Sequence, residues 1–287
     1  MKKKFYCIYS SFDLKRANLL KIACNKFNIK YIPINQGEFD LFNPPKIDKC
    51  SIVYRTSTGI KAQTIKKLLS TKNTPSYKKT YLSTMLRSDD LTDSIIFKNN
   101  QIPTPKSIPY LFDTKNLSKF INYLGGFPIV VKAVGSKEGL GVRKATSIKS
   151  LTTAIKQLSS KNGYNIILKE YIDIGLPAYS NRAIVLGNNI IFAYKNINIA
   201  SKDFRSNTNQ TKRKRIKIEI LDKHKKILLK SAQILNLEWA AIDFVIKNNK
   251  LYIFEINSPF NFVPIYETFK YPIHEKIVKY LADKIHA

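Results

Sequence analysis

Two apolar runs joined by Lys-Asn-Asn-Lys stand out near the C-terminus: "WAAIDFVIKNNKLYIFEIN", Trp239 to Asn257. An Asn-Asn pair between runs of Ile, Val, Phe and Tyr predicts a β-hairpin turning at Asn248-Asn249. The runs are not purely apolar. Asp243 interrupts the first, and Glu255 and Asn257 interrupt the second. Side chains in a strand repeat every two residues, so Glu255 and Asn257 share a face. A regular hairpin sets Asp243 opposite residues near 254, within one or two positions of Glu255. Two carboxylates and an amide then converge, and a buried carboxylate without a partner is very costly. Two solutions satisfy the spacing. One is a hard cation such as Mg²⁺, which takes oxygen ligands and shares them with phosphate. The other is a cross-strand polar cluster in which Glu255 pairs with a lysine.

The remaining 268 residues have to build what surrounds this hairpin. A chain of 287 residues with 44% hydrophobic content can bury two or three modest cores. At its start, "KFYCIY" reads as a strand, "DLKRANLLKIACNKF" as an amphipathic helix, "IKYIPI" and "CSIVYR" as strands, and "GIKAQTIKKLLS" as a helix. Ser88 is placed to cap a helix with Asp89 and Asp90 in its first turn, ended by Pro103 and Pro105. "FPIVVKA" reads as a strand, the stretch from Ser147 to Leu158 as a helix, and "NIILKEYI" as a strand. "SNRAIVLGNNIIFAYKN" reads as a hairpin turning at Gly187-Asn188-Asn189, followed by a basic loop. Helices are expected from Asp222 to Leu235 and from about Pro272 onward. An α/β start followed by hairpins and single helices points to an α+β second part rather than one doubly wound sheet.

Charge narrows the partners. With 49 basic and 20 acidic residues the net charge is +29, which suits nucleic acid, an anionic surface or acidic substrates. A Lys/Asn/Ile-rich composition also follows from an A/T-rich genome. Aromatic residues are not interleaved with the basic run "TKRKRIKI", as a base-stacking platform would require, so nucleic acid is disfavoured. Cys7, Cys24 and Cys50 form no paired framework, which suits a reducing cytoplasm. The apolar run of "MKKKFYCIYSSFDL" stops at Tyr9, too short for a signal peptide, and no stretch reaches the ~20 apolar residues of a membrane span. His224, His274 and His286 lack zinc-ligand spacing, and His224 is expected within a lysine-rich helix face. No nucleophile–histidine arrangement is visible.

"VVKAVGSKEGLGV" sets Lys132 at the end of a strand before Gly135, Ser136, Gly139 and Gly141. Glycines let the backbone approach a phosphate, and successive N–H groups make an anion nest. The same pattern also describes an ordinary hairpin turn. It is neither a P-loop nor a G-x-G-x-x-G fingerprint. "KDFRSN" places Arg205 two residues before Asn207, and arginine is a bidentate clamp for phosphate or carboxylate.

The order of these segments resembles the ATP-grasp enzymes, and most closely the RimK-type carboxylate–amine ligases. Strand-Lys132, the glycine loop, "LKEYI", "SNR", "DFRSN", "AAIDFVI" and "FEINSP" follow in that family's order over roughly residues 87–262. The resemblance implies an N-terminal α/β domain over 1–86, a central ATP-grasp subdomain over 87–171 and a C-terminal one over 172–287, the last two enclosing the nucleotide. It implies ATP and Mg²⁺, two ions by family habit, with Mn²⁺ as a substitute. Lys132 would contact ATP phosphates and the loop Gly135–Gly141 would fold over them. Glu170, Tyr171 and Ile172 would meet the adenine. Arg182, Arg205 and Asn207 would address the transferred phosphate or the acyl phosphate. Asp243, Glu255 and Asn257 would hold the metal. The reaction implied joins an acidic small-molecule, peptide or protein carboxylate to an amine co-substrate. The oligomeric state is left open, a homo-oligomer included. Three features depart from the family. Asp90 stands where a phosphate-binding lysine is usual, with Arg87 or Lys137 as candidate substitutes. Ser180 stands where an acid is usual. "TKRKR" replaces a glycine-rich turn, which suits a different acceptor. The alternatives are a nucleotide-binding remnant without turnover and a basic nucleic-acid-binding protein.

Overall fold

The computed structural model describes residues 2–70, 90–110, 116–136, 139–160, 165–199, 203–205 and 212–285. Ser88, Asp89, Arg87, Lys137 and Asn207 lie outside them, and of Asp90 only the backbone is described.

In the N-terminal part, β1 (Lys4–Tyr9) is followed by α1 (Leu14–Lys26), β2 (Lys30–Asn35), β3 (Ser51–Arg55) and α2 (Ile60–Leu69). The sheet is parallel, in the order β2-β1-β3. Its central strand is apolar on both faces because both are covered: Phe5 and Cys7 pack towards α1, Tyr6 and Ile8 towards α2.

The middle part contains α3 (Asp90–Asn99), β4 (Ser107–Tyr110), α4 (Leu117–Leu124), β5 (Ile129–Ala133), β6 (Val142–Ala145), α5 (Ile148–Ser160) and β7 (Ile166–Glu170). The four strands form an antiparallel sheet, β4-β7-β5-β6. Leu124 of α4 and Leu151, Ala154, Ile155 and Leu158 of α5 close a core over Ile129, Val131 and Leu168.

The C-terminal part runs β8 (Tyr179–Leu186), β9 (Asn189–Asn198), β10 (Arg213–Lys217), α6 (Asp222–Ile234), β11 (Trp239–Lys247), β12 (Lys250–Asn257), α7 (Val263–Phe269) and α8 (Ile273–Asp283). Its sheet is antiparallel, β10-β9-β8-β11-β12. One face packs on α6. The other shares a core with α8, α1 and the N-terminal sheet, where the buried Trp239 indole donates to Tyr54 Oη at 3.1 Å. Among the described residues, no helix is long and apolar enough to cross a membrane.

Four expectations need correction. The basic run is not a loop: Arg213–Lys217 pairs with β9 as β10. At a sheet edge, charge on both faces is tolerated and blocks further pairing, so low β-propensity does not prevent the strand. The hairpin register is not regular either. Asp243 faces Glu255 itself and Phe244 faces Ile253, which leaves Phe254 as the extra residue of a β-bulge. The first C-terminal hairpin turns on two residues, since Leu186 already pairs with Asn189. His224 does not share its neighbours' exposure. It is buried, while the flanking Lys223 and Lys225 face solvent.

Candidate active site

Asp243 sits mid-strand in β11, with Arg182 of β8 on one side and Glu255 of β12 on the other. The row continues to Tyr194 of β9, opposite Arg182. Arg182 grips Asp243 with both arms, Nε to Oδ1 and Nη2 to Oδ2, each at 2.6 Å. Both side chains are nearly buried, so the pair has the fork geometry that makes such contacts strong. Burial alone would lower the Arg182 pKa, but the Asp243 carboxylate overrides it and the net shift is upward. The guanidinium therefore stays charged.

Glu255 reaches away from its sheet. Its Oε2 lies 3.3 Å from Nζ of Lys132, on β5 of the four-stranded sheet. That contact bridges the two sheets. Asn257 pairs with Ala241, two positions from Asp243, and so presents its amide on the same face as Glu255. Asp243, Glu255 and Asn257 thus share one face of the sheet, where Glu255 meets Lys132 and Asp243 meets Arg182. Among the described residues there is no cluster of three or more His, Cys, Asp and Glu. The set here is two carboxylates and an amide, all hard oxygen donors, and its chemistry fits Mg²⁺. In the arrangement seen, Arg182 and Lys132 supply the positive charge to the two acids.

The glycine segment links β5 to β6. Gly135 and Gly139 take φ of +82° and +71°, a region where L side chains are strained. Gly141 is required by close approach instead. A Cβ there would overlap Oγ and Cβ of Ser136 and lie 3.0 Å from Cβ of Ala133. The buried Ser136 Oγ has no hydrogen-bond partner among the described residues.

Arg205 docks on this segment, its Nη1 donating to Gly139 O at 2.7 Å. It is held in place by Asp203, which accepts from Nε at 3.0 Å and from Nη2 at 2.6 Å. The hydrogen bond from Arg205 keeps the Asp203 carboxyl below its usual pKa. Phe204 lies edge-on to Tyr171 at 6.1 Å, and Nζ of Lys144 sits 4.8 Å from the Tyr171 ring centre. Glu170 is fixed at the strand end by Lys106, whose N–H donates to Oε2 at 3.0 Å. Ile172 is buried beside it. Asp203, Phe204 and Lys144 escaped sequence reasoning. The Asp-x-Arg spacing of 203 and 205 was a legible signal for the first, whereas nothing local marks Lys144.

Comparison with known proteins defines the class first. Over 99% of this chain and 97% of theirs, the fold superposes on D-alanine–D-alanine ligase from Bacillus anthracis complexed with ATP, with TM-score 0.74 and 14% identity. It superposes equally on the ATP-grasp ligase PsnB complexed with its minimal precursor, with TM-score 0.74, 15% identity and coverage of 99% and 100%. The architecture is the ATP-grasp fold. A family model for the RimK-like ATP-grasp domain matches residues 88–281, and the chain belongs to that family. A curated relative, the probable alpha-L-glutamate ligase of Rhodopirellula baltica, is 25% identical over 198 residues. That match covers 69% of this chain but only 47% of the relative, so the chain spans about half of that protein's length.

Proposed function

We propose that this chain is an ATP-dependent carboxylate–amine ligase working through an acyl phosphate. One observation supports the reading above the others: Lys132 of one sheet meets Glu255 of the next at 3.3 Å, in line with Asp243 and Arg182. A lysine and a pair of acids facing each other across a cleft suit a triphosphate held with its counter-ion. Residues 87–171 and 172–287 would act as the two halves of that cleft, with 1–86 packed against the second.

In this reading Lys132 binds a phosphate once Glu255 releases it. The segment with Gly135, Ser136, Gly139 and Gly141 lies over the phosphates and sheds water, which would otherwise hydrolyse the acyl phosphate. Glu170, Tyr171 and Ile172 line the adenine end. Asp243, Glu255 and Asn257 hold Mg²⁺, which when bound neutralises phosphate charge. A substrate carboxylate oxygen attacks the γ-phosphorus in line, and the bond to the β-phosphate oxygen breaks, releasing ADP. An amine then attacks the acyl carbon and inorganic phosphate leaves. Arg205, with Arg182 and Asn207, stabilises the oxygen charge that develops, an effect worth about 3–4 kcal/mol for one well-aimed donor. No nucleophile from the protein is needed. The Rhodopirellula relative carries glutamate in its name, so glutamate is the first amino acid to supply.

ADP release with Mg·ATP, glutamate and a pool of acidic peptides tests the reading. Acceptor-dependent ADP is expected, falling at least about a hundredfold in Glu255→Gln. No ADP from any pool sinks the proposal. Turnover that depends on Glu255 also ends the alternative of a non-catalytic remnant, which rests on Asp90 and Ser180.

A further inference from the structure

Among the described residues β10 is an edge strand, hydrogen-bonded to β9 alone. Its register sets Arg213 opposite Asn198, Arg215 opposite Asn196 and Lys217 opposite Tyr194. Tyr194 belongs to the row that contains Arg182, Asp243 and Glu255. The row Lys217–Tyr194–Arg182–Asp243–Glu255 therefore crosses all five strands. Alternation then assigns Arg213, Arg215 and Lys217 to the candidate catalytic face, and Lys214 and Ile216 to the other. A contact supports the assignment: Nη1 of Arg215 lies 3.4 Å from Oγ1 of Thr268 on α7, whose Phe269 packs against Tyr194. Asn198, opposite Arg213, donates from Nδ2 to the backbone carbonyl of Arg205 at 3.2 Å. The cationic strand is thus continuous with the Arg205 segment. Between Asp203 and Glu219 the sequence has no acid.

A second feature of the same face points to the ligand. Asn196 is 3% exposed, and its Oδ1 has no hydrogen-bond partner among the described residues. It lies between Ser180 and Arg215 in the adjacent row. A buried acceptor left unpaired is costly and calls for a donor. A ligand that satisfies this face offers anionic oxygens to the arginines and an N–H to Asn196. An acidic peptide offers both, whereas a nucleic-acid backbone has no N–H to give.

We propose that β10 is the acceptor-docking edge, where Arg213 and Arg215 bind carboxylates of an acidic peptide whose reacting carboxylate lies towards Arg205 and Arg182. This rests on the ligase reading. Two strand spacings, about 10 Å, separate β10 from β8. That is about three residues of extended peptide, so the docked carboxylate belongs to a residue two or three positions from the reacting one.

The test measures anisotropy of labelled hexaglutamate and hexaglutamine on the full chain, with affinity for a Mg·ATP analogue measured in parallel. Hexaglutamate is expected to bind and hexaglutamine not. Arg213→Gln with Arg215→Gln should weaken hexaglutamate about tenfold or more, while Lys214→Gln, with one charge removed from the opposite face, changes it less than about twofold. Arg213→Lys with Arg215→Lys keeps the charge and loses the forks, and should fall between. Absence of hexaglutamate binding, an equal loss in Lys214→Gln, or tighter binding of an oligothymidylate of the same charge overturns the inference. Failure of the wild-type chain to bind the ATP analogue, with hexaglutamate still held by Arg213 and Arg215, removes the ligase reading and leaves the docking edge standing.

Discussion

Asp243 and Arg182 are 61 positions apart in sequence and form one buried ion pair. The sequence marks Asp243 as an acid in need of a partner but offers 49 cations to choose from. Only the β8–β11 register selects Arg182. Removing one member of a buried pair leaves the other charge uncompensated and typically costs about 3–5 kcal/mol. Asp243→Asn is therefore expected to lower the urea midpoint sharply. Asp222→Asn is the control: Asp222 pairs with Lys225 at 2.8 Å, but its side chain is 86% exposed, and its loss should leave the urea midpoint nearly unchanged, because solvent screens an exposed pair. Equal effects of the two substitutions would show that the Arg182 pair is not the stabilising contact it is taken to be.

Elements built on local signals were legible from short stretches of the sequence. The helix of α1, the two long hairpins and the Asn248-Asn249 turn all follow from local chemistry; both asparagines adopt positive φ, 48° and 61°, as a tight hairpin turn demands. The bulge at Phe254 and the pairing of β10 were not legible, because both depend on what the neighbouring strand offers. The glycine segment lies between these cases. Its three glycines stand out in sequence, yet two are needed for positive φ and one for space. Gly141→Ala must push Ser136 aside and shift the segment. Affinity for a Mg·ATP analogue, measured by calorimetry, is expected to fall about tenfold, with the far-ultraviolet circular dichroism unchanged. An unaltered affinity would mean that this segment does not cover the nucleotide.

At the scale of the whole molecule, three sheets are held in register by a few contacts between distant residues. One shared core joins α1, α8 and the faces of the N-terminal and C-terminal sheets. Trp239 and Tyr54 lie at its centre, 0–1% exposed, with a hydrogen bond between them. Tyr54→Phe preserves the ring and strands the indole N–H, which should cost about 1–3 kcal/mol. If the N-terminal sheet and the rest unfold as one unit, that loss moves a single cooperative melting transition. Two separated transitions, with only one shifted, would show that the shared core does not couple them.

The sequence by itself determined most of the long strands and helices and which residue types are out of place in them. Periodicity, turn chemistry and the cost of a lone acid in an apolar strand are properties of short stretches, and short stretches report them. Tertiary structure alone decided which partner each misplaced group meets: Arg182 for Asp243, Lys132 for Glu255, and the candidate catalytic face for the cations of β10. Pairing across strands and sheets is set by register and packing between segments far apart in the chain, and a one-residue shift turns every side chain of a strand to the opposite face.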